Sequence, residues 1–522
     1  MQKIKDFHVF REAEKDESLK NYKNITCHVI FDVKHDGRRK ARFVAGGHLT
    51  LDPGEDSYSG VIAPDAIRLG MFAAVHNGLK VLTADIGNAY LYATTKEQVY
   101  TILAPEYGDL GSKVLIFVKS LYGLKTSGAR FHEHLSATLR KLGFYPTKAD
   151  ADLWMRNCND HYEYIARYVD DILVFSVVPQ GILDTMSKIY TLQAIGVPEY
   201  YLGGDFRVHK KPNGIETFTF CAKTFITNTC KKIEELMGIQ LRKYDTPMLA
   251  GDHPELEDTP ILSPDDHSKY RMLIGSAQWA ITLGRLDIMF AVQTMARFSA
   301  APQQAHLERM LRIFGYLKHH PQLGILIDPE EHPLPPVQDI EVNWEEQYPC
   351  SGEELPPNMP DVKGKPVKLT VYVDADHAHD KMTRRSVTGY IILVNNTPIK
   401  WYSKRQNTVE SSTYGAELVA LRIAVEGIIE FRYKLRMMGV LLDGPSQVLC
   451  DNKSVVLNMT LPSSTLKKKH NAIAYHRVRE SVAAHVIKVN HIDGKANIAD
   501  ILTKATDGIT FKRHVETCLT NL

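Results

Sequence analysis

Apolar and polar positions along the chain group into short runs that predict strands interleaved with amphipathic helices. HVIFDVKHDG followed by RKARFVAGGH predicts a β-hairpin turning at Asp36-Gly37, a pair that tolerates the backbone of a tight turn. AIRLGMFAAVHNG carries apolar residues at helical spacing and ends on Gly78, a C-cap. VLTADIGNAYL predicts a strand running into a helix start, with Asp85 at the strand end, and FHEHLSATLRKLGF predicts another amphipathic helix. In YEYIARYVDDILVFS two apolar runs flank Asp170 and Asp171, with no glycine or proline to explain the break. Farther on, KLTVYVDAD alternates like a strand and ends in Asp374 and Asp376, and GYIILVNNTPI and KWYSKRQ supply two more strands. A long helix, SSTYGAELVALRIAVEGIIEFRYKLRMMG, runs from a Ser/Thr cap region to Gly439. QVLCDN is a short strand with Asp451 at its end, AYHRVRESVAAH a helix, VIKVNHI a strand and ANIADILTKA a final helix. The order βββαβα…βα describes a mixed sheet flanked by helices.

Length changes the picture by allowing several bodies: 522 residues fit about three or four domains. Apolar residues at 44% and charged residues at 24% are ordinary for globular chains, which excludes disordered and fibrous classes. No apolar run is long enough to span a bilayer, and the start MQKIKDFHVFREAEKD lacks the apolar core of a signal peptide. The expectation is therefore no membrane partner and an intracellular location, cytoplasmic or nuclear. The seven cysteines are scattered and never paired as CxxC, which favours reduced thiols over a disulfide frame or a zinc knuckle.

The net charge of +2 hides an asymmetry. Residues 328–360 hold nine Asp/Glu, eight prolines and no Lys/Arg, so this stretch cannot form a regular helix or central strand and reads as a connection between two bodies. Residues 361–522 carry 24 Lys/Arg against 15 Asp/Glu. That excess suits a polyanion partner, and equally a solvated basic surface.

Adjacent carboxylates between apolar strands repel each other unless something cationic neutralises them. Asp170-Asp171 is therefore either a polar hairpin tip in solvent or part of a divalent-metal site. Mg²⁺ prefers hard oxygen ligands, and Asp85 supplies a third carboxylate at a strand end. Asp374, Glu417, Asp451 and Asp500 likewise fall at strand ends or near helix starts, where a single carboxylate is ordinarily a cap or a surface group.

At these residues a resemblance emerges. Tyr168-Val169-Asp170-Asp171 resembles the YxDD box of reverse transcriptases, and Lys119-Ser120-Leu121-Tyr122-Gly123-Leu124-Lys125 resembles the KSLYGLKQ block of Ty1/copia-type retrotransposon polymerases. Lys40-Ala41-Arg42, Phe43-Val44-Ala45, Tyr201-Leu202-Gly203, Thr246-Pro247-Met248, Arg285-Leu286-Asp287-Ile288 and Tyr316-Leu317-Lys318 follow in the family's order. The resemblance implies an α+β and α/β multidomain chain: a right-hand polymerase of fingers, palm and thumb, then a ribonuclease H-like mixed sheet flanked by helices. Its segments would be fingers and palm at 1–248, a thumb-like helical region at 249–327, the acidic connection at 328–366 and the ribonuclease H-like domain at 367–522.

The implied activity is RNA-directed DNA synthesis joined to hydrolysis of RNA in RNA–DNA hybrids, by two metal ions at each site. Asp85, Asp170 and Asp171 would hold two Mg²⁺ ions, with Mn²⁺ as a substitute. Asp374, Glu417, Asp451 and Asp500 match the D-E-D-D set of ribonuclease H and would hold two more, Asp374 being preferred to Asp376 because it lies nearer the apolar alternation. Partners would be an RNA template, a DNA primer, their hybrid and deoxynucleoside triphosphates. Lys34, Lys40 and Arg42 on the fingers hairpin are candidates for phosphate contacts. Tyr90, five residues after Asp85, is either core or the aromatic that packs beneath the incoming sugar. Thr126 stands where the family usually has the Gln that helps seat the nucleotide. His491 is a surface residue or a product-release histidine. Lys404, Arg405, Lys467, Lys468, Lys469, Arg477 and Arg479 would track a hybrid's backbone. The alternative is a domesticated or silent nucleic-acid-binding remnant. Protease, integrase and capsid motifs do not occur in the sequence, which reads as part of a longer polyprotein.

Overall fold

The structure is a computed structural model and describes residues 1–33, 39–50, 52, 54, 57–335, 342–466 and 469–521. It parts into two compact units, one of residues 1–63 and 80–197, the other of 64–79 and 198–522. These boundaries do not coincide with the four segments read from the sequence: the division cuts at 197, and the helix at 64–79 joins the C-terminal unit.

The hairpin of the first unit forms as expected, β1 (Cys27–Val33) pairing antiparallel with β2 (Arg39–Ala45); its Asp36-Gly37 turn lies outside the described residues. The next helix, α1 (Pro64–Asn77), belongs to the other unit. Then follow β3 (Lys80–Ile86), α2 (Ser127–Lys141), β4 (Leu153–Cys158), β5 (His161–Tyr168), β6 (Asp171–Ser176) and β7 (Leu192–Gly196). The sheet runs β7-β3-β6-β5-β4, all antiparallel, with Tyr145–Pro146 at the edge. Phe131, Leu135 and Leu139 recur at helical spacing on α2 and bury against Ile165, Ile172 and Val174 of the strands. This core fixes one face of β3, β5 and β6, and so the strand ends that carry Asp85, Asp170 and Asp171.

In the second unit β8 (Gly204–Lys210) and β9 (Glu216–Cys221) lead to four helices, one over Lys223–Met237 followed by α3 (Pro264–Thr282), α4 (Met289–Ala296) and α5 (Gln304–His319), and to β10 (Leu323–Leu326). Arg285 and Asp287 form a fully buried bidentate pair, and the Tyr316 hydroxyl donates to Asp287 at 2.6 Å, so the Arg-Leu-Asp block is structural. Beyond residue 360 come β11 (Leu369–Asp376), β12 (Val387–Val394), β13 (Thr397–Arg405), α6 (Thr413–Met437), β14 (Ser446–Cys450), α7 (Ala472–Ala483), β15 (Ile487–His491), α8 (Gly508–Cys518) and β16 (Thr520–Asn521). Ser412 caps α6 by accepting from the Gly415 amide. The mixed sheet has order β13-β12-β11-β14-β15, antiparallel on the β13 side and parallel on the β15 side. β11 departs from the alternation expected of it: all but its last residue are buried, because a central strand covered on both faces leaves no solvent side. ANIADILTKA is a short 3₁₀ helix over Ile498–Leu502, started by the Asn497 side chain; the last α-helix is α8, capped by Asp507. β16 pairs with β10, joining the end of the chain to the sheet of β8 and β9.

The acidic stretch has no regular helix or strand among its described residues, yet it is not a free connection. Asp328 pairs with Lys211 at 2.6 Å, and the His332 ring lies 2.7 Å from both the Tyr372 hydroxyl and Asn396 Oδ1. Trp344 is buried beneath the Arg479 guanidinium, and Tyr348 meets His476 at 2.9 Å. Glu353 takes Arg432 Nε and Nη2 at 2.7 and 2.8 Å and also accepts from Arg436. The stretch is a strap fastened along α6 and α7, with Glu353 matched to the two arginines beneath it.

Helix α1 is held to this unit by a buried arginine. Arg68 donates to the carbonyls of Ile399 and Thr282 at 2.9 and 3.1 Å and lies over the Trp401 ring. Asp65 pairs with Lys434 at 3.0 Å, and His76 Nε2 lies 3.0 Å from the Pro366 carbonyl.

Candidate active sites

In the first unit Asp171 opens β6 directly opposite Asp85, the penultimate residue of β3. Asp170 sits in the turn between β5 and β6, where its carbonyl accepts from the Ile86 amide at 2.9 Å. Val169 takes a φ of 56°, a conformation β-branched residues seldom adopt, so the turn is bent without the usual glycine. Burial, and then the charge of Asp85, push the Asp170 carboxyl up, while Lys40 and Arg42 partly offset this. Two residues of the β1–β2 hairpin are thus within electrostatic reach of the acidic strand ends. Arg42 also pairs with Asp32 at 3.1 Å. Lys34 lies outside the described residues.

Tyr90 is half-buried, packing on the α2 core and standing 4.7 Å, centroid to centroid, from Tyr122. Burial and the charge of Asp170 raise its phenol, so one ring has both the core and the acidic site as neighbours. Tyr122, which sequence reasoning did not single out, is pushed up to about 12 by burial and by Asp170, Tyr90 and Asp85. The signal was within the Leu-Tyr-Gly-Leu block. Gly123 has φ 98°, and a Cβ there would lie 2.0 Å from the Ala45 carbonyl, so the glycine lets this loop approach β2 closely enough for Ala45 to donate to the Tyr122 carbonyl at 2.8 Å. Thr126 corrects the nucleotide-contact expectation: it is fully buried, and both its hydroxyl and its amide donate to Glu97 Oε1, at 2.7 and 2.9 Å. With both donors turned to Glu97 it is a structural residue.

The second unit brings together all four of its anticipated carboxylates. Val373 and Cys450 are partners across parallel β11 and β14, so Asp374 and Asp451 follow side by side at neighbouring strand ends. Oxygens of Asp374, Asp451 and Asp500 lie within 4.8 Å of one another, and Glu417, on α6, comes within that distance of Asp451. Glu417 is buried and its Oε2 has no hydrogen-bond partner; burial and the charges of Asp374 and Asp451 raise its carboxyl well above the usual range. Asp500 is pushed up to about 7, by burial and then by Asp374. An orphaned buried oxygen among crowded carboxylates is the donor set a hard divalent cation satisfies.

Lys504, four residues after Asp500, pairs with it at 2.8 Å and approaches Asp374 at 3.8 Å; Thr503 donates its hydroxyl to Asp374. Both were legible only once the 3₁₀ turn had placed them beside the cluster. Asp376 turns instead to His379 Nδ1 at 2.6 Å. His491 is exposed at the end of β15, its Nε2 3.1 Å from the Asp451 carbonyl.

The basic residues divide. Arg479 is buried and donates to the carbonyls of Asn458, Leu461 and Pro462, and Arg405 pairs with buried Asp380, so the expectation that these two track a hybrid is corrected: their guanidinium groups are engaged within the protein. Lys467 and Lys468 lie outside the described residues.

The family described as reverse transcriptase (RNA-dependent DNA polymerase) matches residues 16–249. The retrovirus-related Pol polyprotein from transposon RE1 of Arabidopsis thaliana is 28% identical over 501 residues, covering 94% of this chain and 31% of its own. The transposon Ty1-ER2 Gag-Pol polyprotein of Saccharomyces cerevisiae is 25% identical over 512 residues, covering 92% of this chain and 26% of its own. Among solved structures, a foamy viral protease-reverse transcriptase in complex with double-stranded DNA aligns over 94% of this chain and 68% of its own, at 12% identity and a TM-score of 0.47. The chain thus spans about a third or less of the length of the curated relatives it matches. The reverse transcriptase family match spans the acidic strand ends of the first unit, and similarity to these transposon Pol polyproteins runs along nearly the whole chain.

Proposed function

We propose that the chain is an RNA-directed DNA polymerase whose second centre hydrolyses the RNA strand of RNA–DNA hybrids. The observation that carries this is the pairing of two separate acidic clusters in one chain, Asp85, Asp170 and Asp171 in the first unit and Asp374, Glu417, Asp451 and Asp500 in the second. Magnesium held by these carboxylates, two ions at each centre, supplies Lewis acidity for phosphoryl transfer and for water attack, with manganese as a substitute.

The chain's own residues do the positioning. The bent turn at Val169 presents Asp170 beside Asp85 and Asp171, where Lys40 and Arg42 add positive charge suited to a triphosphate. Tyr90 bounds this site with its ring, which excludes a sugar bearing a 2′-hydroxyl. In the second centre Thr503 holds Asp374 in place, and Lys504 holds Asp500. The substrates follow: an RNA template, a DNA primer, deoxynucleoside triphosphates and the hybrid they generate.

Primer extension on poly(rA)/oligo(dT) tests the polymerase half. Wild-type protein should extend the primer, and Asp170→Asn should lower the rate at least about 100-fold, since one ligand of a two-ion site is lost. Hybrid cleavage should survive in the same preparation. Extension by Asp170→Asn at near wild-type rate would refute the assignment, and a wild type inert in both assays would favour the silent nucleic-acid-binding reading.

A further inference from the structure

The tip of the β4–β5 hairpin gathers a set of side chains that the polymerase chemistry does not use. Cys158 and His161 are cross-strand partners at the ends of β4 and β5, separated by the two-residue turn Asn159-Asp160. Glu163 lies two residues along β5 from His161, on the same face of the strand. One ligand atom from each of the three lies within 4.8 Å of the others.

The imidazole is arranged as a ligand. Its Nδ1 lies 2.8 Å from Asp160 Oδ1, so the carboxylate holds the ring proton on that nitrogen and leaves a lone pair on Nε2. Nε2 is shielded from solvent and has no hydrogen-bond partner. Glu163 is buried, and its oxygens are oriented by Arg156, at 3.1 and 2.6 Å, and by the Ser176 hydroxyl. A carboxylate oxygen fixed by one such bond still has a lone pair to offer, and ligating carboxylates are ordinarily supported in this way.

We propose that Cys158, His161 and Glu163 form a binding site for a borderline-soft divalent transition metal of the zinc class. Thiolate and imidazole donors select such ions over magnesium and calcium, which prefer an all-oxygen set. The Glu163 and Asp160 carboxylates stand against the single guanidinium of Arg156, and a bound dication would take the place of the Cys158 thiol proton. Donor atoms of a tetrahedral zinc site are about 3.3–3.8 Å apart, so side-chain rotations of about 1 Å close the set, with water completing it. The sequence hid this site because the thiols are not spaced as CxxC: the motif is Cys-x-x-His, and its third ligand depends on strand register. Such a clip would fasten the end of β5 remote from Asp170.

Cobalt(II) titration of full-length, chelator-treated protein tests the site, because only thiolate ligation gives an intense sulfur-to-cobalt charge-transfer band. Wild type should develop one equivalent of this band, and zinc should bleach it by displacement. Cys158→Ser should lose the band while retaining its circular dichroism. Cys450→Ser should keep it, which separates the hairpin from the thiol beside the second acidic centre. His161→Ala should weaken cobalt binding at least tenfold, and it carries the test alone if Cys158→Ser does not fold. A band that persists in Cys158→Ser, its absence in folded wild type, or unchanged affinity in His161→Ala would each overturn the proposal.

Discussion

Glu353 is where the acidic strap is most exposed to test. Its carboxylate accepts two bonds from Arg432, whose side chain is 4% exposed, and a further bond from Arg436, while its own side chain is 19% exposed. Truncating Glu353 to Ala leaves Arg432 with the Gly444 carbonyl and the Ser446 hydroxyl, and otherwise with an uncompensated buried charge. Breaking a buried pair from one side costs about 3–5 kcal/mol, and partial solvation of the carboxylate places this case near the lower end, about 3 kcal/mol. If the strap opens independently of the rest of the unit, that loss multiplies its open population about 100-fold. Limited proteolysis under native conditions measures it directly, as the initial rate of cleavage between residues 343 and 360. Glu426→Ala, which breaks the exposed Arg422–Glu426 pair, is the internal control and should change stability by no more than about 0.5 kcal/mol.

The pH dependence of the same contact has a definite sign. Burial alone would raise the Glu353 carboxyl, but the bonds from Arg432 and Arg436 more than reverse this and hold it below the usual range. A depressed folded pKa contributes stability that is present above the unfolded carboxylate value, about 4.3, and is lost as pH falls through the folded value. Strap cleavage in wild type should therefore accelerate only on the acid side of that window, and Glu353→Ala should be nearly flat through it. Cleavage rates of Glu353→Ala and wild type within twofold of each other at neutral pH would show that the strap is held by something else.

Three further outcomes follow from the sites. Asp451→Asn should abolish hybrid-RNA cleavage and leave primer extension intact, since the two carboxylate sets lie in different units; loss of both activities in folded protein would contradict independent centres. Tyr90→Val should raise ribonucleotide incorporation at least tenfold, about 1.4 kcal/mol, while Tyr90→Phe changes it little, because the ring does the excluding; unchanged selectivity in folded Tyr90→Val would make Tyr90 core alone. Thr126→Val should lower stability by about 1–2 kcal/mol by stripping a donor from half-buried Glu97, with KM for deoxynucleotides unchanged; a large rise in KM would return Thr126 to the nucleotide site.

Periodicity revealed most strands and helices of both units because their buried faces repeat at short range. The carboxylates were legible as sets rather than singly: each alone would read as a cap or a surface group, and the motifs that carry them in order set them apart. What escaped the sequence depends on partners that only the fold brings close. Helix α1 reads as part of the N-terminal body until Arg68 is seen to donate to Ile399, 331 residues on. Arg479 reads as a phosphate contact until three backbone carbonyls are found around its guanidinium. Proline and acidic content correctly excluded regular structure from the strap, but composition carries no information about the arginines it would meet.

The placement of α1 also imposes an order on the birth of the molecule. Ala66, Ile67, Leu69, Met71 and Phe72 leave the ribosome well before the neighbours that receive this helix, which include Pro366, Ile399 and Lys434. At about 5–20 residues per second, translation keeps that apolar helix waiting roughly 15–70 seconds for its seat. During this interval the helix is a natural client for a chaperone, and the first unit, whose β3 begins immediately after it, can assemble around a dangling insertion. A gene fragment that stops before residue 399 produces a helix with no place to go, and one that starts after residue 79 produces a C-terminal unit missing a piece of its own wall.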